Sequence, residues 1–402
     1  MKESKKLLIT TLLAAGLLTA VAATENAGRA VLGISPHEKE ITVTAVTADG
    51  SPVQVEGCTV TEFPSGEETV LTVTGTKVVL KGVLIELVCY ANKLTALDVR
   101  GLTALQELYC QNNMLTLLDV RELTGLHTLY CGKNRLTALD VRGLTALQTL
   151  YCDNNRLSSL DVRHLTALQW LDCHFNKLTS LDVQGLPALQ VLECSDNQLT
   201  LLDAQGLPAL QKLYCQDNKI TSLDVRGLTS LQVLMCYDNR LTALNVRRLT
   251  ALQELDCSSN AIASIDVRGL TGLHTLYCDN NRLTSLDVQG LTALQELACS
   301  DNQLTALNVQ DLPALQALSF QHNRLEEDAI IRILNSLPDR KTDEEGLAVL
   351  YSEGEKLPKE SGSAVPASAE FRAAFKAAKQ KNWKLYMQTE DENGTEIRLQ
   401  EE

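Results

Sequence analysis

Cys89, Cys110, Cys131, Cys152, Cys173, Cys194, Cys215, Cys236, Cys257, Cys278 and Cys299 recur at a constant interval of 21 residues, within copies of the pattern LxxLxCxxNxLxxLDVxxLxx. A unit this short cannot bury its own apolar face, so each must stack on the next, and the chain has to build a solenoid with one continuous core. About twelve units fill residues 84–324 of the 402-residue chain. Any function is therefore expected on the surface of the stack.

One unit runs from Leu105 to Gly125. Alternation around Leu108 and Cys110 predicts a short strand with those two side chains inward and Glu107, Tyr109 and Gln111 outward. A second alternation follows at Leu118, Asp119 and Val120. The expected fold is mainly β, a gently curved rod about 55 Å long with parallel strands on both sides and little helix between them. The Asn column, from Asn92 through Asn113, Asn134 and Asn155 to Asn323, sits where the chain leaves the first strand. A buried amide there can bond backbone groups of its own coil and of the next, which is a structural task.

Twelve cysteines in all invite a disulfide reading, and the spacing argues against it. Residues one coil apart lie about 4.8 Å from each other with parallel Cα–Cβ vectors, whereas a disulfide needs converging vectors. The next position in the series is Phe320. The column reads as small buried hydrophobes. Cys58 stands outside it, as a lone core thiol or as a partner for Cys89 at the end of the array.

With LxxLxCxxN in place, the array resembles the leucine-rich-repeat family. Its LDV half resembles the 21-residue bacterial class called IRREKO, and the general plan is similar to the internalins, which use a slightly longer unit. The resemblance implies an exported or surface-displayed binding module whose ligand lies on the LxxLxC sheet; it names no ligand.

The ends differ from the array. Residues 1–23 open with Lys2, Lys5 and Lys6, continue as an apolar run and finish on Ala20, Ala22 and Ala23, as a cleavable export signal does, and no later run is apolar for long enough to span a bilayer. Within 24–83, residues 24–39 read as a poorly ordered lead and 40–83 as a β cap, with a hairpin about Asp49-Gly50. Residues 325–402 read as an α/β cap with an acidic tail. It comprises a helix bearing Ile330, Ile333, Leu334 and Leu337 and stopped by Pro338, a strand at 347–351, a polar linker, a helix at 368–381, a strand at 383–387 with a buried Trp383, and a final hairpin about Asn393-Gly394.

The outward column between the inward Leu and Cys contains Tyr109, Tyr130, Tyr151, Asp172, Glu193, Tyr214, Met235, Asp256 and Tyr277, flanked by Glu107 and Trp170 on one side and by Tyr90, Phe175 and Tyr237 on the other. Aromatic rings with carboxylates on a preformed sheet are the composition of an interface core. These fourteen residues are the candidate binding set. Tyr is also a good strand residue whose rings can simply cover one another, and GLHTLYC occurs at both 125–131 and 272–278, so some tyrosines are inherited by duplication. Trp170 and Phe175 break the pattern.

An Asp column (Asp98, Asp119, Asp140, Asp161, Asp182, Asp203, Asp224, Asp266, Asp287) runs beside an Arg column (Arg100, Arg121, Arg142, Arg163, Arg226, Arg247, Arg268), and the expectation is an interleaved surface ion-pair network. Calcium is the competing reading, weakened by those arginines. With 36 basic against 50 acidic residues and a formal charge of -14, nucleic acid is an unsuitable partner. His37, His127, His164, His174, His274 and His322 show no metal spacing, and there is no phosphate loop or paired nucleophile, so neither enzyme activity nor a cofactor is expected. The expected partner is a protein, met outside the cell. Alternatives are a saccharide stacked on Tyr109, Tyr130, Tyr151 and Trp170, and a structural spacer without ligand.

Overall fold

The computed structural model describes residues 28–340, 344–352, 368–388 and 395–396. The signal-like start, the polar linker and the Asn393-Gly394 turn lie outside the described residues. The repeats form a curved solenoid. Its main sheet is built from one short strand per coil, among them Leu84–Val88, Glu107–Tyr109, Thr128–Tyr130, Thr149–Tyr151, Trp170–Asp172 and Val191–Glu193, all parallel. Register follows the period: Leu108 faces Leu129, and Leu129 faces Leu150. The inward Leu and Cys of each coil are wholly buried. All twelve cysteines are unpaired, so Cys58 and Cys89 form no disulfide, and Cys58 is half-buried in the cap.

The strands are short because the chain must turn inward after each Cys, and the Asn column makes that turn possible. Asn134 Nδ2 donates to the carbonyls of Cys110, Cys131 and Gly132 at 3.0, 3.1 and 3.2 Å, while its Oδ1 accepts from Leu115 N at 3.0 Å. One amide thus serves two coils. The same set recurs at Asn155, Asn176 and Asn197. Two residues after the Cys the backbone enters the left-handed region, with φ of 57° at Asn112, 51° at Asn154 and 51° at Asp196, a conformation that Asn and Asp tolerate best.

On the opposite side, parallel pairing occurs at Leu201–Asp203 with Ser222–Asp224 and as a bridge between Asp287 and Asn308. Along this side the Asp of LDV accepts the N–H two residues on, as Asp140 Oδ1 does from Arg142 N at 3.1 Å and Asp224 Oδ1 from Arg226 N at 3.1 Å, so a local turn closes each segment after Val.

Both ends are closed by strands. Arg29–Gly33, in the stretch expected as a poorly ordered lead, pairs antiparallel with Lys77–Lys81 and with Ala96–Asp98 of the first coil. Its alternate residues Ala30 and Leu32 are buried, which gives that segment a core face. The expected hairpin about Asp49-Gly50 is also corrected. Glu40–Thr47 joins the main sheet beside Leu84–Val88, whereas Val53–Glu56 joins the other sheet beside Lys77–Lys81. Asp49 Oδ1 holds Ser51 N and Oγ, and Ala48 N bonds Val83 O, so the chain crosses between layers instead of folding back. The cap is a β-sandwich in which each layer pairs with one side of the first coil.

At the far end Gly346–Ser352 adds in parallel to Ala317–Ser319, and Trp383–Gln388 adds to it in turn. Helices Glu327–Ser336 and Ala369–Gln380 bury Ile330, Ile333, Leu334, Phe371, Ala374 and Phe375. Ser368 caps the second helix through Phe371 N. Trp383 is buried with its Nε1 bonded to Pro338 O at 2.8 Å, and its indole occupies the space that a side chain at Gly346 would need.

Candidate ligand-binding face

Because every strand of the main sheet has its inward Leu in register, the outward side chains stand in straight columns one coil apart. Tyr109, Tyr130 and Tyr151 occupy one column, and their rings stack on each other: centroids are 5.1 Å apart between the first two and 4.4 Å between the second two, the latter nearly parallel at 13°. Asp172 holds the next place in the column, and the stack passes sideways onto Trp170, whose ring lies 6.1 Å from Tyr151 at 21°. Four rings therefore form one continuous surface. Glu107 anchors its far end, accepting from Tyr109 Oη at 2.6 Å. Burial and the Glu107 carboxylate both raise the Tyr109 phenol, and burial raises Tyr130 and Tyr151, so all three keep their protons.

The faces of the three tyrosines are turned to one another. What they present to solvent is an edge, while Trp170 remains 40% exposed. Ring-covering, the plainer of the two readings of this column, accounts for the tyrosine geometry and leaves the outward edges for contact.

Downstream of Trp170 the set is more dispersed. Asp172 is buried and accepts from His174, with Nδ1 at 2.6 Å and the backbone N at 3.2 Å, and that hydrogen bond raises the imidazole pKa. Glu193 and Asp256 are each held by a serine hydroxyl two residues on, Ser195 and Ser258, at 2.5 Å. Burial raises both carboxyls. Tyr277 Oη donates to Glu296 of the next coil. Tyr214 and Met235 are half-buried neighbours in register, and Tyr237 is half-buried one column away. Tyr90 is exposed at the cap end, apart from the stack.

Phe175 is the structural outlier. It is 52% exposed, and its backbone sits at φ 48°, in the left-handed column filled elsewhere by Ala91 and by polar residues such as Asn112, Asn154 and Asp196. A bulky residue there is strained. Its ring meets His174 edge-on at 5.3 Å.

Three participants were missed in the sequence reading: Asp153, Asn154 and His174. Asp153 is buried, its carboxylate lies where a Cβ on Gly132 would fall, and Asn154 Nδ2 bridges it to His174 Nε2 at 3.1 and 3.2 Å. The available signal was Gly132, a glycine in a column that elsewhere carries side chains. The Asp and Arg columns also differ from expectation. Each Arg grips the Asp of its own coil through two contacts, as Arg121 does with Asp119 at 2.9 and 2.8 Å, because the Asp turn places the guanidinium over that carboxylate. Arg247, whose own coil has Asn245 in that place, instead reaches Asp266 of the next. No group of three or more metal-ligating side chains converges among the described residues.

The family described as leucine rich repeats (2 copies) matches at residues 124–164, 208–248 and 250–291. Among solved structures, the functional domain of InlJ from Listeria monocytogenes, which includes a cysteine ladder, is 32% identical over 72% of this chain, with a TM-score of 0.58. This chain spans 58% of that domain's length. A leucine-rich-repeat protein of Leptospira interrogans is 26% identical over 73% of this chain and 81% of its own, with a TM-score of 0.58. An internalin of Listeria monocytogenes, inlF, shares the fold at 24% identity over 66% of this chain and 80% of its own, with a TM-score of 0.57. No curated protein matches in sequence. These likenesses are to internalin-like leucine-rich-repeat solenoids.

Proposed function

We propose that this internalin-like leucine-rich-repeat solenoid is an exported module that binds a protein on another cell or in the surrounding matrix, through the face centred on Tyr130, Tyr151 and Trp170. The observation that carries the reading is the four-ring stack itself. It is preorganised by register, ends on an exposed Trp170 and is bordered by the carboxylates of Glu107, Asp172 and Glu193. Rigid aromatic surface costs little entropy to bind, and acidic neighbours suit a partner with basic side chains. Stacking of sugar rings on Tyr109, Tyr130 and Tyr151 is disfavoured because those ring faces already cover each other.

The test is binding of the purified protein to immobilised cell-surface and matrix proteins, at low and high salt, alongside Trp170→Ala and Tyr151→Ala. A protein ligand whose affinity falls about tenfold or more in both variants supports the proposal. If every protein ligand binds both variants as it binds the parent, the face is not the site.

A further inference from the structure

A second ladder runs along the rim, just past the Asn column. Arg135, Arg156 and Lys177 each donate their backbone N–H to the preceding coil, at Leu115, Leu136 and Leu157 O, all at 2.8 Å, so they stand in register one above another. Each is exposed, precedes a buried Leu and is followed two residues on by an exposed hydroxyl: Thr137, Ser158 and Thr179. Lys133 is exposed beside them. Among the described residues none of these four cations has an acidic partner, whereas the arginines at 121, 142 and 163 are each clasped by an Asp. Lys219, Arg240 and Arg282 occupy the same column farther along, but only here do three successive coils carry a cation in it, with a fourth, Lys133, alongside. One coil apart they lie within a Debye length, about 8 Å at physiological salt, and repel each other until an anion arrives.

We propose that this rim binds an acidic polysaccharide, with Lys133, Arg135, Arg156 and Lys177 meeting its anionic groups and the exposed ring of Phe175 meeting the apolar face of a sugar. Phe175 lies in the turn two residues before Lys177, in the same left-handed column as Lys133 and Asn154. Strained and half-exposed, it has little to do for the core. The exposed hydroxyls of Thr137, Ser158 and Thr179, each two residues past a cation of the ladder, add partners for sugar hydroxyls. Past Lys177 the surroundings change sign. The cation column continues as Gln198, Lys219 and Arg240, but the turn column beside it carries Asp196, Asp217 and Asp238, and burial plus the two neighbouring carboxylates raise Asp217. A nucleic-acid strand, charged at every unit, would run onto that acidic stretch and would find one aromatic ring where base stacking wants several. A glycan with neutral units between its charges avoids both difficulties. This site is separate from the Tyr130 to Trp170 face and does not depend on that reading.

Two triple variants test it. Arg135→Gln, Arg156→Gln and Lys177→Gln remove three unpaired cations; Arg100→Gln, Arg121→Gln and Arg142→Gln remove three paired ones, with the same change in net charge. Probes are short oligosaccharides of chondroitin sulfate and of hyaluronan, and oligodeoxythymidylate of matched charge, each titrated at two salt concentrations. The expected result is glycan binding that weakens about tenfold or more in the first triple, with a smaller salt dependence, and stays near the parent value in the second. Phe175→Ala should weaken glycan binding, and Trp170→Ala should leave it intact. The two glycans distinguish sulfate from carboxylate recognition. Absence of glycan binding at low salt, equal losses in the two triples, or oligodeoxythymidylate bound as tightly as the glycans would overturn the proposal. Thermal unfolding of each variant checks that the exposed substitutions leave the fold in place, and Arg135→Lys with Arg156→Lys, which keeps the charge, should retain binding.

Discussion

Replacing Asn134 by Ala tests the hydrogen-bond logic of the whole array. The amide makes four bonds, three from Nδ2 to Cys110, Cys131 and Gly132 O and one into Oδ1 from Leu115 N. The losses are unequal. Cys110 O keeps a donor in Asn113 Nδ2, Cys131 O keeps one in Asn155 Nδ2, and Gly132 O keeps Asn112 N. Leu115 N, deep in the core, has no second acceptor among the described residues and is orphaned. An orphaned buried donor costs about 1–3 kcal/mol and each of the three remaining bonds about 0.5–1 kcal/mol, which gives roughly 2.5–6 kcal/mol for the substitution. The position is mid-array, so the loss weakens the junction between two coils on either side. Guanidinium unfolding followed by far-ultraviolet circular dichroism measures it. A loss under about 1 kcal/mol at Asn134 would refute the claim that this amide stitches the coils together.

Phe175→Asn should raise the unfolding free energy by about 1 kcal/mol, from relief of the left-handed backbone, while weakening ligand binding at the rim; a fall in stability would contradict the strain argument. In the native protein a thiol reagent near pH 8 should modify Cys58 at most, since the eleven ladder thiols are buried and their pKa values raised by desolvation, up to about 12 at Cys89; mass spectrometry showing ladder cysteines labelled before unfolding would contradict the packing. Asp119, Asp161 and Asp224 are held at about 2 by the arginines two residues on, so their contribution to stability is complete above the ordinary Asp value near 4 and is lost as pH falls toward 2. Desolvation in their half-buried places raises Glu193, Asp256 and Asp279, which act in the opposite sense, losing stability as pH rises through their values. Scans of the thermal midpoint from pH 6 to pH 2 should show an acid limb that flattens when the three low aspartates are changed to Asn.

Much of the fold was legible because repetition multiplies a weak signal. A single Leu-x-Cys says little, but eleven at one interval require eleven equivalent environments, and the core that results contains every ladder thiol. The Asn column was legible for the same reason. The cap was read less well. Ala30 and Leu32 alternate in too short a stretch to announce a strand, and Asp49-Gly50 has hairpin chemistry that the Asp49 to Ser51 and Ala48 to Val83 contacts redirect between two layers. Of the candidate set, Tyr109, Tyr130, Tyr151 and Trp170 assemble into one surface, while Tyr90, Tyr237 and Tyr277 stand apart from it. His174 was passed over because it was judged as a metal ligand, whereas its partners are Asp172 and Asn154.

The sequence by itself determined the solenoid, its direction of stacking, the burial of the cysteine column and the absence of disulfides, since each follows from a period and from the environment that a period imposes. Only the tertiary structure decided how outward side chains meet. Whether Tyr130 shows a face or an edge depends on the rotamers of Tyr109 and Tyr151, and whether Arg121 binds its own Asp or the next coil's depends on a turn set by one carboxylate. The same holds for the rim, where Arg156 is unpaired although an equally exposed Arg163 is clasped by Asp161. Periodicity fixes where a backbone goes; the free energy of side-chain contacts, which depends on neighbours from two or three coils at once, fixes what the surface offers a partner.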